Sequence, residues 1–197
     1  ISMRDKILII TGDPESINSE ILIKSLKKIP ERLKKKIYLI SNYDFLKKQF
    51  KKFNFYPKMQ KINIFKERGD NNKLKVIDID LPFMNLSKIS LDNTRKYIKK
   101  SFDLAHNISI KDKSILGIIN CPINKRLLDN KGFGVTEYLA SKCQINDNSE
   151  AMLIRNSKLA VSPVTTHTDL KNISKILSKK LIIKKVNTKL IFILKKF

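Results

Sequence analysis

Three polar segments carry the side chains best suited to chemistry, residues 11–20, 120–126 and 164–170. In the first, the carboxylate of Asp13 stands in a Gly-Asp-Pro turn before a predicted helix, whose free N–H groups and positive dipole end attract anions. In the second, the ammonium group of Lys125 could contact a phosphate or a carboxylate. In the third, the imidazole of His167 is well placed to bind a metal ion.

Each of these residues also has an ordinary structural explanation. Gly-Asp-Pro turns are common in loops, isolated lysines usually face solvent, and a single histidine is more often structural than metal-binding. The second histidine, His106, lies inside a predicted helix without any similar context. Taken one at a time, the three segments therefore leave the function open.

The predicted elements around these segments indicate how they come together. Apolar runs at 6–10, 37–40 and 114–119 have the composition of buried strands, and helical patterns lie between them. Strands that alternate with helices predict an α/β fold with a largely parallel sheet. In such folds ligands gather at the carboxyl ends of the strands, so we expect the three polar segments to lie there.

Weaker patterns complete the predicted order of elements. Further strands are predicted at 62–65, at 74–79 as an edge strand, and at 151–154 and 159–164 as a hairpin. Helices are predicted at 19–29, 43–53, 90–108 and 136–143 and from Asp169 toward Lys185, with Ser19 and Asp169 as caps. The glycine-containing stretch 131–134 is predicted to be a hinge.

The composition is that of a globular protein, since 42% of the 197 residues are hydrophobic and 30% are charged. No apolar run approaches the roughly 18 residues of a membrane-spanning helix, which argues against an integral membrane protein. The residues after Met3 do not resemble a signal peptide. Cys121 and Cys143 provide neither a disulfide framework nor a four-ligand zinc site. We expect a reducing, cytoplasmic setting.

The net charge of +23 comes from 41 Lys and Arg against 18 Asp and Glu. Such a charge would normally suggest nucleic-acid binding. Arginine, however, which makes the bidentate contacts of base and phosphate recognition, occurs only at positions 4, 32, 68, 95, 126 and 155. The lysines are spread along the chain, a pattern that fits solvated helix faces. We therefore expect no specific nucleic-acid partner and no membrane partner.

Taken together and in their order, the polar segments resemble the 4-hydroxythreonine-4-phosphate dehydrogenase family. The family's T-x-G-D-P-x-G-I-G-P-E, A-P-I-N-K, G-H-T-E-[FY]-L-A and V-T-T-H segments are matched, with changes, by residues 11–20, Cys121–Lys125, Gly134–Ala140 and Val164–His167. The stretch Asp147–Arg155 is also similar to the family. The resemblance thus covers nearly the whole chain.

The resemblance implies a three-layer α/β/α, two-lobed fold of the isocitrate/isopropylmalate dehydrogenase type, working as a homodimer with its active site in the cleft. NAD would take a hydride from a small phosphorylated amino-acid substrate, which a divalent metal (Zn, Mg or Co) on three histidines would chelate. By motif, His167 is implied as a metal ligand, Thr136 and Asn124 as substrate-binding residues, and Lys125 and Asp13 as catalytic residues. No residue is assigned to NAD.

The sequence departs from the family pattern at several points. Val135 replaces a phosphate-contacting histidine, and valine cannot donate a hydrogen bond. Ser16, Asn18 and Ser19 replace Gly, Gly and Pro. Only two histidines are present, so we expect an incomplete, amino-terminal portion of the enzyme that is inactive alone, with a partial first lobe at 1–130 and the start of a second at 131–197.

Three other interpretations stay open. Val135 is compatible with a related dehydrogenase that acts on another phosphorylated hydroxy acid. The incomplete histidine set is compatible with a non-catalytic binding protein that keeps the lobe without its chemistry. The net charge is also compatible with a protein that binds nucleic acids nonspecifically, and moderate salt would release the nucleic acid from such a protein.

Overall fold

The computed structural model describes residues 5–63, 69–86, 88–128, 134–144, 151–165 and 168–194, with only the backbone for 189–194. The chain divides into two compact units, Ile1–Val135 and Thr136–Phe197. No helix in the described ranges is long and apolar enough to cross a bilayer.

The described part of the first unit is built on a five-stranded sheet in the order β3-β4-β2-β1-β5. All four neighbouring pairs are parallel, which confirms the predicted α/β fold. The strands are β1 Lys6–Ile10, β2 Ile37–Ser41, β3 Met59–Ile62, β4 Leu74–Asp78 and β5 Ile115–Asn120. The helices are α1 Asn18–Lys28, α2 Glu31–Lys34, α3 Tyr43–Lys52, α4 Leu91–Lys111 and α5 Lys125–Leu128.

Helices cover both faces of the sheet because successive strand side chains point to opposite sides. On one face, Ile9, Leu39 and Val76 pack in a single buried cluster with apolar side chains of α1 and α3. On the other face lies α4, which contacts β1, β2 and β5. The side chains that α4 turns toward the sheet, including Ile98 and Phe102, are fully buried. The result is an α/β/α layering in the first unit.

Two strands differ from their predicted positions. The edge-strand prediction for 74–79 is wrong, because β4 lies between β3 and β2 and four of its five residues are buried. The prediction of a buried strand at 114–119 is also wrong, because β5 lies at the end of the sheet and most of its side chains are exposed. Alternating or continuous apolar residues in the sequence show which side chains are hydrophobic. Whether those side chains are buried depends on which strands lie beside them in the sheet.

Two predicted boundaries also shift. Ser19 is not a cap, because α1 begins one residue earlier, at Asn18, with Ile17 in the cap position and no side-chain cap bond. The weak strand predicted at 62–65 is displaced: β3 ends at Ile62, and residues 64 and 65 lie outside the described residues.

The second unit has short elements. These are α6 Val135–Lys142, which begins at the last residue of the first unit, β6 Ile154–Arg155, β7 Ala160–Val161, a 3₁₀ turn Leu170–Asn172, α7 Ile173–Ile176 and α8 Lys179–Leu194. Pairing of β6 with β7 is antiparallel and confirms the hairpin, although it is only two residues long.

The continuous helix predicted from Asp169 toward Lys185 is wrong. The Asp169 side chain makes no cap bond, and Leu177 has an extended backbone that separates α7 from α8. Ser178 then starts the next helix, since its hydroxyl accepts a hydrogen bond from the Leu181 N–H at 3.2 Å. The periodic apolar residues continue through this break, so their pattern alone does not reveal it.

Candidate functional site

The first loop, residues 11–17, leaves the carboxyl end of β1 in a sharp turn. Gly12 adopts a left-handed backbone with φ of 75°, which glycine accepts without strain. The Asp13 carboxylate accepts a hydrogen bond from the Glu15 N–H at 3.0 Å, and the Asp13 carbonyl accepts one from the Ser16 hydroxyl at 2.7 Å. These bonds fix the loop before α1 begins.

The first loop and the segment after β5 lie against each other, as predicted for two carboxyl ends of parallel strands. β1 and β5 are neighbours, and the Cys121 N–H donates to the Ile10 carbonyl at 2.9 Å. The buried Asn18 amide donates to the Pro122 carbonyl at 2.7 Å and to the Asp13 carbonyl at 3.3 Å. A Cβ atom added at Gly12 would lie only 2.8 Å from the Pro122 oxygen.

The chemistry of Asp13 reflects this packing. Burial raises the pKa of its carboxyl above the ordinary value of 3.8, and the nearby Glu15 carboxylate adds to the rise. The hydrogen bond from the Glu15 N–H opposes it. Asp13 is therefore a half-buried carboxyl that takes up a proton more readily than a surface aspartate does.

Asn124 and Lys125 lie where α5 begins, and both are exposed. The Asn124 side-chain oxygen accepts a hydrogen bond from the Arg126 N–H at 3.1 Å, which caps this short helix. Lys125 makes no ion pair with any carboxylate in the described ranges. The structure thus places both residues in the segment that packs on the first loop, with the Lys125 ammonium available to an anion.

A buried cluster of three hydroxyl groups lies under the same sheet edge, and the sequence analysis did not single it out. The Thr11 hydroxyl lies 3.1 Å from the Ser41 hydroxyl and 3.0 Å from the Tyr97 hydroxyl, which in turn donates to Ser41 at 3.2 Å. Burial raises the pKa of Tyr97, so its phenol stays protonated. The signal available in the sequence was a hydroxyl residue directly at the end of β1 and of β2.

Thr136 belongs to the second unit. It is the second residue of the eight-residue helix α6, and its side chain is exposed. Val135 precedes it at the first helical position and is partly buried. Thr136 therefore presents its hydroxyl beside the free N–H groups at a helix start, an arrangement that suits a phosphate oxygen.

His167 lies outside the described residues, together with Thr166 of the same motif. The described residues before it, Val164 and Thr165, are partly buried. Across the described ranges, no three residues of the types His, Cys, Asp or Glu are grouped so as to hold a metal ion. His106 lies in α4, as predicted.

Comparisons with known proteins agree on one family. The family model described as pyridoxal phosphate biosynthetic protein PdxA matches residues 15–195. A 4-hydroxythreonine-4-phosphate dehydrogenase of Sulfurihydrogenibium sp. (strain YO3AOP1) is 30% identical over 192 residues, which cover 92% of this chain and 55% of that protein. One from Aquifex aeolicus (strain VF5) is 32% identical over 193 residues, with 93% and 56% covered.

Solved structures share the fold. A 4-hydroxythreonine-4-phosphate dehydrogenase from Klebsiella pneumoniae superposes with a TM-score of 0.76 at 22% identity and covers 93% of this chain and 57% of its own. One from Burkholderia phymatum gives 0.72 at 23% identity, with 93% and 56% covered. The chain spans about half the length of these relatives. Because the family model matches most of the chain, this chain belongs to the PdxA family of pyridoxal phosphate biosynthetic proteins.

Proposed function

We propose that this chain supplies part of the active site of an NAD-dependent dehydrogenase. The reaction is the oxidation of 4-phosphooxy-L-threonine, followed by decarboxylation to 3-amino-2-oxopropyl phosphate, in the biosynthesis of pyridoxal 5′-phosphate. The observation that carries the proposal is the 2.7 Å hydrogen bond from the Asn18 amide to the Pro122 carbonyl. It holds two family motifs together at the edge of the sheet where α/β enzymes bind ligands.

In this proposal, the first loop and the segment after β5 contact the reacting end of the substrate. Burial raises the pKa of the Asp13 carboxyl, and this group exchanges a proton with a group of the substrate or cofactor. The exposed ammonium of Lys125 pairs with the substrate's negative charge, and Asn124 lines the same wall. NAD, when bound, would accept the hydride; no residue of this chain is assigned to hold it.

Thr136 is proposed to bind the substrate phosphate through its hydroxyl and the first N–H groups of α6. Val135 offers no hydrogen bond where the family has a phosphate-contacting histidine, so phosphate binding here depends more on Thr136. This valine also favours the second candidate function, a related dehydrogenase for another phosphorylated hydroxy acid.

The residues of this chain do not fit a complete three-histidine metal site. The sequence contains two histidines, and one of them, His106, lies on α4 within the first unit. His167 is proposed as a single ligand for Zn, Mg or Co, and no reaction step is assigned to the metal. We infer that the 197 residues alone do not catalyse the oxidation. The incomplete histidine set is also compatible with a non-catalytic binding protein.

The proposal extends to organisation. Residues 1–130 would form the first lobe and residues 131–197 would contribute to the second, and the protein would work as a cytoplasmic homodimer. Sedimentation of the purified chain tests the dimer, because a monomer at all concentrations contradicts it.

The purified 197-residue chain tests both parts of the proposed function. With 4-phosphooxy-L-threonine, NAD and each of the three metals, we expect no NADH above the protein-free control. Calorimetry with the phosphorylated substrate should still detect binding, and Thr136→Ala should weaken it about tenfold, as loss of one charge-assisted hydrogen bond predicts. Thr188→Ala on α8, where the hydroxyl donates a hydrogen bond to the Lys184 carbonyl, is the matched control. NADH formation overturns the inferred inactivity, and absence of binding overturns the substrate assignment.

A further inference from the structure

A recess lies in the first unit, between α3 and the segment 55–59 that leads into β3. Its volume is about 770 Å³, within the range of small-molecule sites. The apolar part of its lining includes Phe50, Phe55 and Met59. The recess is therefore large enough for a ring system, with an apolar surface to receive it.

The chain reversal after α3 builds one wall of this recess. Asn54 has a left-handed backbone with φ of 51°, which asparagine tolerates better than most residues. The Phe55 N–H donates to the Phe50 carbonyl at 2.9 Å, and the two rings meet edge to face with centroids 5.2 Å apart. Hydrogen bonding and ring packing together hold the wall in place without a ligand.

The rim is positively charged. Lys47 and Lys51 stand four residues apart on α3, so their side chains lie on the same face of the helix. Both line the recess and are exposed. Neither ammonium group forms an ion pair with a carboxylate in the described ranges. Two exposed ammonium groups above an apolar floor are suited to a doubly charged phosphate.

The other charged residues at the rim are already engaged. The Asp44 carboxylate lies 3.6 Å from the Lys61 ammonium, and Lys61 also pairs with Asp78 at 3.0 Å. The Lys48 ammonium lies over the Phe83 ring, 4.9 Å from its centroid. Lys61 thus offsets part of the negative charge of Asp44, and Lys47 and Lys51 remain as the cations that an incoming anion would meet.

Tyr56 supplies a flat surface at the same recess. Its side chain is 70% exposed although it lines the cavity, and its hydroxyl is 3.4 Å from the Asn54 side-chain oxygen. An exposed aromatic ring beside Lys47 and Lys51 favours a ligand that stacks a planar ring on Tyr56 and places a negative group at the two lysines.

We propose that this recess binds a small phosphorylated aromatic molecule, with the ring against Tyr56 and Phe55 and the phosphate at Lys47 and Lys51. The site is separate from the one at Asp13, because β3 lies at the opposite end of the sheet from β1 and β5. Nucleoside monophosphates and simpler aryl phosphates share this chemistry. The proposal does not depend on the dehydrogenase reaction.

Calorimetric titration of the full 197-residue chain with AMP and with phenyl phosphate tests the proposal and separates these two sources. At least one of them should bind, and it should bind at least tenfold more tightly than ribose 5-phosphate, which lacks an aromatic ring, and adenosine, which lacks the phosphate. Binding of AMP alone identifies a nucleotide site, and binding of phenyl phosphate alone identifies a smaller aryl phosphate.

Variants locate the binding. Lys47→Gln with Lys51→Gln should weaken binding of the tighter probe about tenfold, and Tyr56→Ala should remove its preference over ribose 5-phosphate. The matched control is Lys96→Gln with Lys100→Gln, an exposed pair at the same spacing on α4, which should change affinity less than twofold. Equal loss in both double variants, equal affinity for ribose 5-phosphate, or no binding of either probe at millimolar concentration would each overturn the site.

Discussion

The centre of the sheet and its β5 end are built from similar residues and differ in what surrounds them. All five residues of β2 are buried, and Leu39 has no exposed surface. In β5, Leu116 and Ile119 are each 53% exposed. β2 has a strand on both sides, whereas β5 pairs only with β1 within the described part of the sheet. Burial here follows from position in the sheet and not from the hydrophobicity of the strand.

This difference matters because the candidate site lies between the two regions. The first loop follows β1, which is enclosed, while Asn124 and Lys125 follow β5, which is open on one side. The Asn18 amide and the close approach at Gly12 connect them. One wall of the site therefore rests on the buried core and the other on the least covered strand of the five-stranded sheet.

The largest expected effect compares the same substitution in both regions. Leu39→Ala should lower the free energy of unfolding by about 3 kcal/mol, because it leaves a cavity in a packed core. Leu116→Ala should lower it by about 1 kcal/mol or less, since half of that side chain is already in water. Urea unfolding followed by circular dichroism measures both. Equal losses would show that β5 is covered in solution and would break the comparison.

A smaller effect, with opposite signs, is expected at two glycines beside the β1–β5 pair. Gly12→Ala should lower the free energy of unfolding by about 2 kcal/mol, because the position is left-handed and the new Cβ would meet the Asn18 amide and the Pro122 carbonyl. At Gly117, in β5, an added Cβ meets nothing within 4 Å. Gly117→Ala should therefore raise stability by about 0.5 kcal/mol. The same unfolding measurement checks both, and a neutral Gly12→Ala would contradict the packed junction.

The smallest expected effect concerns how β5 is held at its start. Burial opposes ionisation of the Asp112 carboxyl, but hydrogen bonds from Ser114 and from the Lys6 ammonium outweigh it and lower its pKa to about 2. Because the folded pKa is below the ordinary value of 3.8, this stabilisation is complete above pH 3.8 and is lost as the pH falls toward 2.

Asp112→Asn should therefore lower the free energy of unfolding by about 1 kcal/mol at neutral pH, since solvent screens a partly exposed pair. The difference from the unmodified chain should shrink between pH 4 and pH 2. Asp80→Asn, at an exposed carboxylate that forms no ion pair in the described part of the chain, is a control for the loss of one negative charge. A difference that is constant down to pH 2 would rule out the ionised Asp112 as the anchor.

Much of the fold was predictable because strand and helix patterns are local. The apolar run at 6–10 forms β1, and the residues at 43–52 form α3. The helix predicted at 90–108 is α4, and the hydroxyl of Ser90 caps its first turn. The meeting of residues 11–20 with 120–126 was also predictable, since parallel neighbours end at one edge. The roles of Asp13, Asn124, Lys125, Thr136 and His167 stay predictions.

Other features were not accessible from the chain alone. The hydroxyl cluster of Thr11, Ser41 and Tyr97 joins residues from three elements, and its hydrogen bonds depend on how those elements pack. The recess beside α3 requires the left-handed turn at Asn54 and the return of the chain along that helix. Neither leaves a repeating pattern in the sequence.

By itself the sequence determined which segments form strands and helices, where the polar turns fall and which family the motifs resemble, because side-chain periodicity and turn chemistry act over a few residues. Tertiary structure alone decided that β4 is interior and β5 is at the end of the sheet, that Asn18 links two loops more than 100 residues apart, and that Lys47 and Lys51 border an aromatic recess. The physical reason is that burial and hydrogen-bond partners are properties of neighbours in space, which a one-dimensional pattern does not specify.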